Sequence, residues 1–383
     1  MNRNVLFLSK DASWQRYRNE VLTKLTLNYY CKIDVITDGE IKDYIKPCAN
    51  LNYICSTDIL KWSKRINLLP YAYKYIIQYK PDVILALPNS SNLTELSLSL
   101  FCKITKTKLV YWTHGYDHCR RPDSGLNGFL NKIRVSVINK CLKQANAIIV
   151  FSEPGKEYLV DKGIDKEKIF VAPNTLNTEK LINSYLPIKE EDINKFKSDN
   201  NIENKTVYLF SGRFRSGKRL ENFINALGKA KNKDSVALVV VGDGEMGESW
   251  QELCKCFGIH ALFLGEVFDE DRLAIIFKSA DWFVMPGYVG LAIVHAFSAG
   301  LPLLSEDISF HSPEINFLKQ NVNGVLFKEK DLSAWTAFIE EKGNDFQLKN
   351  RMSKEALNTV HNEASINNQI LAMSLALGLD RNV

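Results

Sequence analysis

Short, unbroken apolar runs alternate with longer amphipathic stretches over almost the whole chain, and few folds tolerate that pattern. Strands of a parallel sheet are buried on both faces and read as continuous apolar segments, while each crossover needs a dozen or more residues, usually a helix. Asn4–Leu8, Lys32–Thr37, Asp82–Leu87, Lys108–Trp112, Ala147–Phe151 and Lys168–Ala172 read as such strands, with helices over Trp14–Leu27, Pro70–Tyr79, Leu93–Thr105 and Leu126–Lys143. A second series starts after residue 205, with strands at Val207–Phe210, Val236–Val241, Ala261–Leu264, Asp281–Met285, Leu301–Leu304 and Gly324–Phe327. Its helices are expected over Arg219–Lys231, Gly247–Phe257, Asp269–Ser279 and Leu291–Ala299. The expected class is α/β with two parallel sheets.

A length of 383 residues accommodates two domains of ordinary size, each with its own core. Residues 1–178 form the expected N-terminal domain. The polar, Asn-rich stretch 179–204, with a lone Pro187, reads as the interdomain linker; 205–360 form the C-terminal domain and 361–383 a helical tail able to cross back to the first. A formal charge of +5 is too mild to imply nucleic acid. Val5–Leu8 is too short for a signal-peptide core and no run approaches the length of a membrane span, so a cytoplasmic protein is expected. The eight cysteines are scattered, with only Cys254 and Cys256 close, and are expected as reduced thiols.

Chemistry concentrates in the second series. Pro286-Gly287-Tyr288-Val289-Gly290 lies between an apolar strand and a helix, where a parallel sheet binds ligands and where free N–H groups and the helix dipole suit an anion. Arg213 and Lys218 flank another strand-to-helix loop, in which Gly212 and Gly217 allow close backbone approach. A guanidinium fork and an ammonium on one loop suit a diphosphate. Gly242-Asp243-Gly244-Glu245-Met246-Gly247 has the spacing of a dinucleotide fingerprint and leaves an NAD-dependent oxidoreductase open as an alternative. The acidic run Asp269-Glu270-Asp271 lies at a helix start, and no Asp-x-Asp ends a strand, so no metal or other cofactor is expected.

Together, SGRFRSGKRLENFINAL, VVVGDGE, FLGEV and PGYVGLAIVHAFSAGLPLL resemble, in order and spacing, the donor-binding half of family-four glycosyltransferases. The N-terminal half resembles the family more loosely, chiefly over residues 146–174. The resemblance implies a GT-B architecture of two facing Rossmann-like domains and retaining transfer of a sugar from a nucleotide-sugar donor. It places Arg213 and Lys218 on the leaving diphosphate, His114 beside the transferred sugar and Glu266 and Val267 beside the nucleobase. Gly212 and Gly242 fall in donor-binding loops, and Glu314 begins a helix beside them. The family's paired glutamates are replaced here by Gly287 and His295. His295 can still hydrogen-bond a ribose hydroxyl, and the backbone of Gly287, Tyr288, Val289, Gly290 and Leu291 can bind sugar hydroxyls or the distal phosphate. Further alternatives are a nucleotide-binding homologue without catalysis and a sugar-nucleotide epimerase.

Residues 101–145 carry nine Lys and Arg against two acids. In the family it resembles, the N-terminal half receives the acceptor, so Arg120, Arg121, Lys132 and Lys143, with Arg16 and Arg18 earlier in the same half, are expected on the acceptor or membrane side. The resemblance implies a glycan acceptor, lipid-linked in bacterial surface polysaccharide synthesis (O-antigen, capsule or lipopolysaccharide), and the basic excess suits peripheral contact with the inner face of the plasma membrane.

Overall fold

A computed structural model describes residues 2–9, 15–37, 45, 48–56, 60–61, 67–88, 93–115 and 125–381. The chain divides into two compact units, Met1–Pro173 with Ile366–Val383, and Asn174–Ser365.

The first unit runs β1 (Arg3–Ser9), α1 (Gln15–Asn28), β2 (Cys31–Thr37), β3 (Leu51–Cys55), a small antiparallel pair β4 (Leu60–Lys61) and β5 (Asn67–Leu68), α2 (Pro70–Tyr79), β6 (Val83–Ala86), α3 (Leu93–Thr105), β7 (Lys108–Thr113), α4 (Gly125–Gln144), β8 (Ala147–Val150), α5 (Glu153–Asp161) and β9 (Ile169–Val171). Seven strands form one parallel sheet in the order β3-β2-β1-β6-β7-β8-β9. Successive side chains of β1 alternate between its faces, as the strand period requires. Val5 and Phe7 join a core with Val21, Leu22 and Leu25 of α1 and Ile370 and Met373 of the C-terminal helix. Leu6 and Leu8 join another with residues of α2 to α5.

The second unit opens with α6 (Thr178–Tyr185) and α7 (Glu190–Asp199), followed by β10 (Thr206–Ser211), α8 (Leu220–Lys229), β11 (Val236–Val241), α9 (Gly247–Phe257), β12 (Ala261–Phe263), α10 (Glu270–Lys278), β13 (Trp282–Val284), α11 (Ala292–Ser298), β14 (Leu303–Asp307), β15 (Gly324–Lys328), α12 (Leu332–Glu341) and α13 (Phe346–Asn362). Its six strands are parallel in the order β12-β11-β10-β13-β14-β15. The stretch expected as a linker is helical: Tyr185 is buried, and Leu181, Ile182, Ile188 and Phe196 pack against the core of this unit. The acidic run after β12 is a helix start, where Asp269 Oδ1 accepts the Arg272 N–H at 2.9 Å. The last helix, α14 (Ile366–Leu377), returns to the first unit.

Candidate active site

The strand order of the second unit reverses between β10 and β13, and a crevice outside the carboxyl ends of strands at such a reversal is where open α/β sheets take ligands. The loops leaving these strands lock together there. Gly287 N–H donates to Lys218 O at 2.8 Å and Tyr288 N–H to Gly217 O at 2.9 Å. Lys218 Nζ donates to Tyr288 O at 2.6 Å and stands 5.3 Å from the centroid of the Tyr288 ring. A Cβ at Gly287 would stand 2.7 Å from the Lys218 carbonyl carbon and closer still to Gly217 O. Glycine is thus required at 287 by backbone contact.

This geometry corrects the expectation that the Gly287–Leu291 backbone is an open anion cradle. The N–H groups of Gly287 and Tyr288 are already bonded, and Gly290 N–H donates to Ser312 Oγ at 3.1 Å. Val289 is buried, and α11 has only seven residues, so its dipole is short. Side-chain cations remain. Arg213 is exposed, whereas Lys218 is mostly buried, and that burial pushes its pKa down to about 8; Glu314 opposes the shift and Arg215 adds to it. The charged form still dominates at neutral pH. A diphosphate that needs the cation should bind about fivefold more weakly at pH 9 than at pH 8, and Lys218→Arg should flatten that profile. Calorimetric titration across this range checks it.

A polar cluster that sequence reasoning missed braces the same turn. Arg219 has φ 54°, and its Nη1 lies 2.7 Å from Glu329 Oε1 and 3.6 Å from Glu306 Oε2. Glu306 is fully buried and accepts from Asn222 Nδ2 at 2.9 and 3.1 Å, while its own N–H donates to Pro286 O at 3.1 Å. Burial raises its pKa, and Asn222 and Arg219 oppose the rise. Arg219 and Asn222 lie 84 or more residues from these carboxylates in sequence, which hides them from local pattern.

His295 lies on α11, 6.0 Å from the Phe277 ring, and its Nδ1 is buried with no partner among the described residues. Burial pushes its pKa down to about 4, so it acts as a neutral hydrogen-bonding ring. In the ribose role, His295→Ala should weaken nucleotide affinity about fivefold, the worth of one hydrogen bond, with little change in melting temperature. A large melting shift with intact affinity would make it a packing residue. Glu314 is buried nearby in sequence to Ser312, and its Oε1 accepts from Asn174 Nδ2.

The fingerprint-like loop does not fit a dinucleotide. Gly242 N–H donates to Gly265 O at 2.8 Å, Gly244 N–H to Asp243 Oδ1 at 2.8 Å and Gly247 N–H to Gly244 O at 3.1 Å. A Cβ at Gly244 would lie 2.5 Å from Phe214 O. The glycines thus serve the packing of this loop on the Gly212–Phe214 loop, where Phe214 N–H donates to Asp243 O at 2.8 Å and Gly212 N–H to Val241 O at 3.0 Å. Glu266 is exposed beyond β12, with Val267 half-buried beside it.

In the first unit, His114 follows β7, its ring 4.7 Å from that of Phe151. Arg18 is turned inward, contrary to expectation: it is 4% exposed, and its guanidinium carbon lies 4.7 Å from the Trp112 ring centroid. The Arg16 side chain and all of Arg120 and Arg121 lie outside the described residues. Lys132 and Lys143 are exposed and, with Lys140, Tyr158 and Lys162, line a groove between α4 and α5. Ile133 and Val137, on the apolar stripe of α4, are exposed rather than packed on the sheet.

Two parallel doubly wound sheets, the second with its strand order reversing between β10 and β13, define a GT-B α/β protein. Residues 192–359 match the family "Glycosyl transferases group 1" and residues 33–180 match "Glycosyltransferase Family 4". Each unit therefore carries a stretch that matches a glycosyltransferase family model. An uncharacterized glycosyltransferase of Methanocaldococcus jannaschii is 31% identical over 153 residues; the match covers 38% of this chain and 38% of that relative. The alpha-galactosylglucosyldiacylglycerol synthase of Streptococcus pneumoniae is 24% identical over 267 residues, 67% of this chain and 68% of that protein. Anabaena HepE in complex with UDP shares the fold at a TM-score of 0.70 and 18% identity, covering 97% of this chain and 99% of that one. The lipopolysaccharide outer core galactosyltransferase WaaB does so at 0.69 and 15%, covering 98% and 99%.

Proposed function

We propose that this protein transfers a sugar from a nucleoside-diphosphate sugar to a glycan acceptor, with retention and without a metal, in bacterial surface polysaccharide synthesis. The observation that carries this reading is the pair of cations, Arg213 and Lys218, on the strand-reversal loop, with Lys218 poised in a mostly buried position against the Gly287–Tyr288 backbone. Breaking the bond from the anomeric carbon leaves charge on the diphosphate, and fixed cations at that point favour the transition state over the ground state. The acceptor hydroxyl attacks from the face the diphosphate leaves; the new glycosidic bond forms as the old one breaks, and a diphosphate oxygen takes the hydroxyl proton. His114 and His295 take the sugar and ribose roles. The relatives that bind UDP or act in glycolipid and lipopolysaccharide synthesis support the donor class and a lipid-linked acceptor.

Purified protein titrated with UDP, GDP, ADP, CMP and dTDP, then with their sugars, tests the donor reading; binding to none of them sinks it. Turnover with a bound donor should survive chelator. The first unit receives the acceptor in this reading, with Lys132, Lys143 and the exposed Ile133 and Val137 of α4 turned to an anionic bilayer. Sedimentation with anionic and neutral vesicles at low salt tests this contact. Equal binding to both argues for a soluble acceptor.

A further inference from the structure

A ligand rich in hydroxyl groups needs acceptors, and carboxylates are the strongest that side chains offer. The loop after β13 supplies none, because Gly287 is pressed against the Gly217–Lys218 backbone and leaves no room for a side chain. Among the described residues, Glu306, Glu329 and Glu314 are tied to that loop or its bracing turn. Glu306 is saturated by Asn222 on both oxygens and by Arg219 beyond. Glu329 holds the same guanidinium from the outside. Glu314 differs from both. It is 4% exposed, its Oε1 takes the Asn174 amide, and its Oε2 is buried with no hydrogen-bond partner among the described residues.

One hydrogen bond places Glu314 at the donor loops, and its charge is felt there. Ser312, two residues before it, accepts the Gly290 N–H at 3.1 Å, and the Glu314 charge acts on the Lys218 ammonium. A buried carboxylate oxygen without a partner is unfavourable and calls for an explanation. Beside a lysine assigned to phosphate, a carboxylate would repel a diphosphate directly, so its fitting occupant is the uncharged, hydroxyl-bearing group next to the phosphate. We propose that Glu314 is the carboxylate that receives a hydroxyl of the transferred sugar, with Asn174 holding its other oxygen in place. This inference rests on the nucleotide-sugar reading and extends it to the residue that recognises the sugar.

The test separates sugar from phosphate. UDP, GDP, ADP and dTDP, and their glucose, galactose, mannose and N-acetylglucosamine conjugates, are titrated against wild type, Glu314→Gln and Glu314→Asp. Work at about pH 6 keeps Lys218 charged in all three, so that loss of the neighbouring carboxylate does not discharge it. Wild type should bind one conjugate more tightly than its parent diphosphate. In Glu314→Gln, diphosphate affinity should stay within about twofold while that conjugate weakens about tenfold, the scale of a lost charge-assisted hydrogen bond. Glu314→Asp, which keeps the charge but shortens the reach, should show the same split. Equal weakening of diphosphate and conjugate would assign Glu314 to Lys218 instead. No change in either, or a wild type that gains nothing from any sugar, also overturns the proposal. A wild type that binds no diphosphate overturns the donor reading itself, and this inference with it. Melting curves confirm that each variant is folded.

Discussion

Replacing Lys218 with alanine lowers kcat by about a hundredfold or more, the scale on which a fixed electrostatic donor acts on developing charge. Its ammonium already sits 2.6 Å from Tyr288 O, so it enters the reaction pre-positioned rather than recruited from solvent. Arg213→Ala should fall in the same range, although Arg213 is exposed and must close onto the phosphate as the donor binds. If both act on the leaving group, the loss appears in kcat and kcat/KM together. Steady-state kinetics of the two variants, beside their melting temperatures, check this. Unchanged turnover in both would remove the loop from the mechanism.

Gly287→Glu should inactivate the protein. The obstruction is the Cβ, 2.7 Å from the Lys218 carbonyl carbon, not the carboxylate. Gly287→Ala should therefore behave alike. Either change forces apart the Gly287–Lys218 and Tyr288–Gly217 hydrogen bonds and displaces the lysine they hold. Overpacking of this kind destabilises by about 1–3 kcal/mol, a fall of several degrees in melting temperature for a unit of this size, with turnover lost beyond detection. Differential scanning calorimetry and activity on the two variants read both effects. A fully active, fully stable Gly287→Glu enzyme would mean that the loops separate in the working state.

Most strands were legible as continuous apolar runs: Val236–Val241 is buried throughout, and only a strand covered on both faces needs that composition, whereas β3, half-buried with Asn52 in it, was not. Arg213, Lys218 and Gly290 were legible as site residues because a strand end, a turn and a helix start follow one another within a few positions. The reason for Gly287 was not, since it depends on a backbone 69 residues away. The same distance effect hid the Arg219–Glu306 pair and the stacking of Arg18 on Trp112. Helices α6 and α7 were read as a linker because the stretch is polar, charged and Asn-rich, a composition that masked the few residues, such as Leu181, Tyr185 and Phe196, that it turns to the core.

The first unit is made of two pieces of chain, with the whole second unit inserted between Pro173 and Ile366. Ile366, Ile370, Met373, Ala376 and Leu377 of α14 belong to the core beneath β1, β7 and β8. During synthesis from the N-terminus, that core stays open until α14 has been made, while the second unit, translated before it, already has every strand it needs. The second unit can thus close first, while the unit translated earliest must wait, with one apolar face uncovered, for α14.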